Sequence, residues 1–168
     1  MNKKIITREE SAILAEEFRK EGNKIVTING SYDILHAGHL SMLKEAKNQG
    51  DILIVGLNSD ESVRAWKKRF GHKDWEKRPL IPQQYRAEML TALEYIDYIT
   101  IFDEPDCISF IEAIKPDIHV NGPEYGEDCI EKSVVEKYGG RLHIAQFIEG
   151  LSTSKLIQKI IEIYSKKD

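Results

Sequence analysis

The chain has 168 residues, of which 41% are hydrophobic and 31% charged, with a net charge of −4. That suffices for one domain with a core of its own, and it is too acidic for a general nucleic-acid coat. It does not exclude a small polyanionic ligand, because one local group of donors can hold a phosphate on an acidic protein.

In chain order, residues 8–20 read as a helix. Leu14, Ala15 and Phe18 form a partial apolar stripe there, and Gly22 closes it. "KIVTI" (24–28) is a short β-branched strand. From Gly38 to Asn48 the pattern is helical, and "GDILIVGLN" (50–58) is a nearly continuous apolar strand of the kind covered on both faces. A helix starts near Asp60, and "KKRFGHKDWEKRPLIP" (67–82) reads as an exposed loop. A helix over 83–96 presents Met89, Leu90 and Leu93. Then come strand 97–102, helix 106–114, strand 116–122, helix 130–138 closed by Gly139-Gly140, strand 141–147 and a last helix over 153–164. That last helix places Leu156, Ile157, Ile160, Ile161 and Tyr164 on one side.

Five strands alternating with helices predict an α/β fold: an open five-stranded parallel sheet with helices on both faces. The expected organisation is a single domain over 1–168, with 1–22 as a helical lead-in and 23–168 as the core. Cys107 and Cys129 lack a Cys-x-x-Cys spacing and read as reduced thiols. The N-terminus shows no signal-peptide pattern, and no stretch approaches the ~20 apolar residues of a membrane span. The expectation is a cytoplasmic protein that binds no membrane.

Ligands of such sheets collect beyond the carboxyl ends of the strands. After the first strand stands "NGSYDILHAGH", where Gly30 permits a tight turn and the helix near Gly38 offers free N–H groups to an anion. His36 would lie just before that helix and His39 in its first turn. After the last strand, "EGLSTSKL" sets Ser152 and Thr153 at a second helix start. Either residue alone would serve as an N-cap; the two helix starts together suit phosphate. A zinc pair at His36 and His39 lacks an evident third ligand. His119 and His143 fall inside strand patterns and read as structural, whereas Trp66 and Trp75 read as surface or partly buried aromatics rather than base-stacking platforms.

"GSYDILHAGH" resembles the G-x-F-D-x-x-H-x-G-H signature of the cytidylyltransferase-like nucleotidyltransferases, and "EGLSTSKLI" resembles their second signature, E-G-x-S-T-T-x-x-I. "GDILIVGLNSDESV" and "QQYRAEMLTALEYIDYITIF" extend the resemblance over nearly the whole chain, with the adenylyltransferase domains of bacterial ADP-heptose synthases as the most similar branch. It implies a Rossmann-like nucleotidyltransferase fold and transfer of AMP from ATP, with Mg²⁺ held mainly through the phosphates, to a heptose 1-phosphate for lipopolysaccharide precursors. The alternatives are CTP with glycerol 3-phosphate or another polyol phosphate, nucleotidyl transfer to another phosphorylated small molecule such as a flavin, and a nucleotide-binding module without turnover.

By the same resemblance, His36 and His39 would contact the phosphates, Ser152 and Thr153 would bind phosphate from the second helix start, and Lys67 would reach over from a mobile loop. Arg86 would hold an anionic group. Asn29, Gly30, Ser31, Tyr32 and Gly38 would line the strand-end cradle, and Asp33 would fix the loop or meet the sugar. Asn121 and Gly122 would wall off the base, with Glu124 in the acidic position of the family's K-G-G-D-Y or M-G-D-D-W. Here that segment is "NGPEY", and Pro123 removes a backbone donor. The family also implies a homodimer; no sugar-kinase domain is attached in this sequence, so the expectation is a kinase on a separate chain.

Overall fold

The computed structural model describes residues 3–126, 128–146 and 152–165; the side chain of Glu124 lies outside the described set. Five parallel strands form one sheet: β1 (Ile25–Gly30), β2 (Ile52–Asn58), β3 (Tyr98–Phe102), β4 (Ile118–Asn121) and β5 (Arg141–Ile144), in the order β3-β2-β1-β4-β5. The register runs Ile28 beside Val55 on one side of β1 and beside Val120 on the other. The predicted α/β architecture is the one observed.

Among the described residues, seven α-helices connect and flank the strands: α1 (Arg8–Lys20), α2 (Ala37–Lys47), α3 (Asp60–Arg69), α4 (Gln83–Thr91), α5 (Ile108–Ile114), α6 (Ile130–Lys137) and α7 (Thr153–Tyr164). Alternation along the strands divides the core into two layers. Val26, Ile28, Leu53, Val55, Leu57, Ile99 and Val120 pack with Leu43 and Ala46 of α2 and with Ala87 and Leu90 of α4. Ile25, Ile54 and Phe102 face the other way, onto Ala15 of α1, Phe110, Ile111 and Ile114 of α5, and Val135 of α6. Each large aliphatic side chain buried this way contributes about 1.5–3 kcal/mol.

Local capping explains where the helices begin. Thr7 accepts from Glu10 N, while the Glu10 carboxylate accepts from Thr7 N at 2.7 Å, a reciprocal cap that starts α1. Ser59 does the same work for α3, its hydroxyl accepting from Ser62 N. Two of the boundaries that differ from the sequence reading bear on the site. α3 continues to Arg69, so Lys67 stands on its last turn and not in a loop. α4 ends at Thr91, because Leu93 and Ile96 continue the apolar pattern through a turn rather than a helix.

Strand order reverses between β1 and β4, which leaves the crevice above their carboxyl ends open between the connections that diverge there. The turn into α2 follows β1, and a short 3-10 turn (Pro123–Tyr125) follows β4.

Candidate functional site

The turn after β1 is built around Tyr32. Its backbone takes φ 46°, a left-handed conformation costing a non-glycine residue about 1–2 kcal/mol. The conformation folds the ring inward, 4% exposed, with its centroid 5.3 Å from that of His39. A Cβ on Gly30 would stand 3.1 Å from that ring, so the glycine makes room for it. Burial raises the Tyr32 hydroxyl pKa, leaving a neutral donor.

His36 is the N-cap of α2 and His39 is its third residue. Their rings stack with centroids 3.8 Å apart and 23° between planes. His39 Nδ1 accepts from the His36 backbone N–H at 3.4 Å, which leaves the proton of a neutral His39 on Nε2. Burial, and then the neighbouring His36, lower the His39 pKa to about 4, and burial lowers that of His36. Both rings are thus neutral at pH 7 and gain basicity beside an anion. The N–H groups of Ala37 and Gly38, in the first turn, have no intrahelical acceptor.

A cavity of about 200 Å³ collects these groups. It is lined by Asn29, Gly30, Ser31, Tyr32, His36, Gly38 and His39 from the β1–α2 side. Asn121, Gly122, Tyr125 and Glu131 come from the β4–α6 side, and Ser152 and Thr153 from the start of α7. Ser152 caps α7, its Oγ accepting from Lys155 N at 3.3 Å. The predicted residues His36, His39, Ser152, Thr153, Asn121 and Gly122 therefore share one cavity. Glu124 lies on the 3-10 turn, and its side chain is outside the described residues.

A second cavity, of about 570 Å³, opens on the other side of the same strand end. It shares Asn29, Gly30, Ser31, Tyr125 and Glu131 with the first and adds Asn58, Val63, Trp66, Lys67, Phe70 and Asp128, among others. Lys67 is partly buried here. Burial and the Arg78 cation lower its pKa, against the opposite pull of Asp74 and Asp33. The side-chain oxygen of Asn29, on both cavities, is buried without a protein donor.

Two predicted residues sit outside these cavities. Asp33, 2% exposed, accepts from Leu80 N at 2.7 Å and Ile81 N at 3.0 Å and pairs with the Arg78 guanidinium at 2.7 Å. These contacts tie the end of the 67–82 segment to the turn after β1. Arg86 is fully buried. It donates to the carbonyls of Ile81, Asn58 and Ser31 and to the Asp60 carboxylate, tying four segments together. In the structure its guanidinium donates to protein groups at the sheet edge, where the sequence reading gave it a ligand anion.

Sequence reasoning missed Arg78, Tyr125 and Glu131. Glu131 is 7% exposed, accepts from Asn121 Nδ2 at 3.3 Å and from the Cys107 thiol at 3.4 Å, and lines both cavities. Only an acid inside the apolar pattern of α6 signals it. His119 is buried and bonded to Thr27 Oγ1 at 2.8 Å, and His143 pairs with Glu45 at 2.8 Å, both structural as expected. Among the described residues no three His, Cys, Asp or Glu side chains converge as metal ligands. No described helix is long and apolar enough to cross a membrane.

The chain is 44% identical over 163 residues to a bifunctional protein HldE of Pelobacter propionicus, covering 96% of this chain and 32% of that protein. It is 41% identical over 158 residues to the HldE of Geobacter sulfurreducens, covering 94% and 31%. The chain thus spans about a third of the length of the curated relatives it matches. Among solved structures it resembles a lipopolysaccharide core biosynthesis protein from Thermoplasma volcanium, with TM-score 0.59 and 26% identity over 76% of this chain and 100% of that one. A pantoate-beta-alanine ligase from Francisella tularensis shares the fold, with TM-score 0.62 and 16% identity, over 98% of this chain and 80% of that one. The cytidylyltransferase-like family profile matches residues 27–159, from β1 through the paired histidines at the start of α2 and into the helix that begins at Thr153, and the chain belongs to that family.

Proposed function

We propose that the chain is an adenylyltransferase that moves AMP from ATP to a heptose 1-phosphate, giving an ADP-heptose and pyrophosphate for lipopolysaccharide or other surface-glycan precursors. The observation that carries the reading is the stacked pair His36 and His39 at the start of α2, sharing one cavity with the Ser152–Thr153 start of α7. Two helix N-termini and two imidazoles supply donors for a triphosphate. Support for the acceptor comes from the HldE relatives and from the second cavity, which reaches the same strand end.

A sugar 1-phosphate is largely dianionic at neutral pH, its second pKa being about 6. It needs no strong base. One of its oxygens bonds to the α-phosphorus while the bond from that phosphorus to the bridging oxygen breaks, and pyrophosphate leaves with the electron pair. The protein's part is alignment and charge stabilisation. His39, with its proton on Nε2, donates to a phosphate oxygen and becomes more basic as charge accumulates; His36 acts beside it. Ser152, Thr153 and the free N–H groups of Ala37 and Gly38 hold the remaining oxygens. Lys67, on the second cavity, holds the acceptor phosphate. Arg86 and Asp33 keep the walls in register without touching substrate. Mg²⁺ would neutralise phosphate charge, held by the nucleotide.

In this reading residues 1–168 carry the adenylyl-transfer step in the cytoplasm, and a sugar kinase activity supplies the sugar phosphate. The protein is a homodimer. The exposed apolar residues of α7, Ile160, Ile161, Ile163 and Tyr164, offer a surface for the second copy. The test is pyrophosphate release with Mg²⁺, using ATP, CTP, GTP and UTP against both anomers of D-glycero-D-manno-heptose 1-phosphate, glycerol 3-phosphate and flavin mononucleotide. Turnover with ATP and one heptose anomer is expected; turnover only with CTP and glycerol 3-phosphate would overturn the reading.

A further inference from the structure

The second cavity has two unlike walls. Val63, Trp66 and Phe70 from the α3 side are apolar, while Asn29, Asp128 and Glu131 opposite are acceptors. Three of the exposed large apolar residues of the molecule, Phe70 (61%), Tyr125 (50%) and Ile130 (58%), rim its mouth. Apolar groups left open around a polar floor mark a binding cleft. The partly buried Trp66 ring is braced there, 4.7 Å from the Phe70 ring and 5.8 Å from that of His72.

We propose that Trp66 is the specificity-determining platform on which the ring of the acceptor sugar lies, its hydroxyls donating to Glu131, Asp128 and Asn29. The inference rests on the proposed function and assigns the feature that favours a pyranose over a short polyol. Ionised carboxylates only accept, and the Asn29 oxygen is buried without a donor, so this wall calls for a ligand rich in O–H groups. The opposite wall calls for a flat hydrophobic face, which the C–H side of a sugar ring presents and glycerol phosphate does not. Lys67, next to Trp66 in sequence and on the same cavity, takes the single phosphate of that ligand. Asp128 and Asp106 line this cavity and not the histidine-bearing one, where two imidazoles and two helix starts gather the donors that a triphosphate needs.

The test uses the full chain and two readouts. In a Trp75→Phe background, where Trp66 is the remaining tryptophan, emission is followed on adding heptose 1-phosphate, mannose 1-phosphate, glycerol 3-phosphate, inorganic phosphate or a non-hydrolysable ATP analogue. The two sugar phosphates are expected to shift the emission, and the other three to leave it unchanged. In steady state, Trp66→Leu is expected to raise the sugar-phosphate KM roughly 10-fold or more, with the ATP KM unchanged, and Trp66→Phe to recover most of the loss. An emission shift with the ATP analogue alone would overturn the proposal in favour of base stacking. Turnover of a sugar phosphate with no shift and no KM change in Trp66→Leu would overturn it while leaving the proposed function standing. Turnover of glycerol 3-phosphate alone would overturn both.

Discussion

The histidine turn and the arginine strut lie at the same sheet edge and are built in opposite ways. His36 and His39 are three residues apart, positioned by one helix start, and their ring nitrogens serve one cavity. Arg86 is reached by groups from residues 31, 58, 60 and 81, and Arg78 is paired with Asp33, so their guanidinium groups are used within the protein. The first arrangement spends polar groups on a ligand and the second spends them on holding the cavity walls. Substitutions should therefore separate into losses of rate and losses of stability.

The largest expected effect is on the strut. Arg86→Ala leaves the Asp60 carboxylate and three carbonyls without their donor and should cost about 3–5 kcal/mol of unfolding free energy, read from urea midpoints. If the variant were as stable as the native chain and only its ATP binding fell, Arg86 would belong with the ligand groups and the contrast would fail.

A pH dependence sharpens the same contrast. The folded-state pKa of His39 is about 4, against an ordinary value near 6.5 in the unfolded chain. Its contribution to stability is thus whole above pH 6.5 and is lost as the pH falls toward 4. His39→Asn should flatten the decline in urea midpoint over that window; His119, also held below its ordinary value by burial, supplies a decline that stays. An unaltered slope in His39→Asn would mean that its ring is not desolvated in the folded chain. The smallest effect belongs to Ser152→Ala, which removes the cap on α7 and should cost about 1 kcal/mol, read as a lower melting temperature.

The sequence carried the strand–helix alternation and the histidine turn because both are local: period, a glycine and a helix start decide them. The role of Arg86 is not legible there, because an arginine in a helix pattern does not reveal whether it faces ligand or strand ends. That depends on the carbonyls of Ser31 and Asn58, 55 and 28 residues away. Lys67 reads as part of a loop because the segment after it is charged and punctuated by a glycine and two prolines, whereas Lys67 itself lies on the last turn of α3. Glu131 was missed for the same reason as Arg86. Its carboxylate meets Asn121 and Cys107, and only the packing of α6 against β4 and α5 brings them together.

The most direct test of the central claim is pyrophosphate release from ATP and heptose 1-phosphate by His39→Ala beside the native chain, with melting temperatures measured on the same preparations. The account predicts that turnover falls by about 10²–10³-fold while the variant stays folded at pH 7. Near-native turnover by a folded His39→Ala would contradict it, because the imidazole would then hold nothing that changes during the reaction.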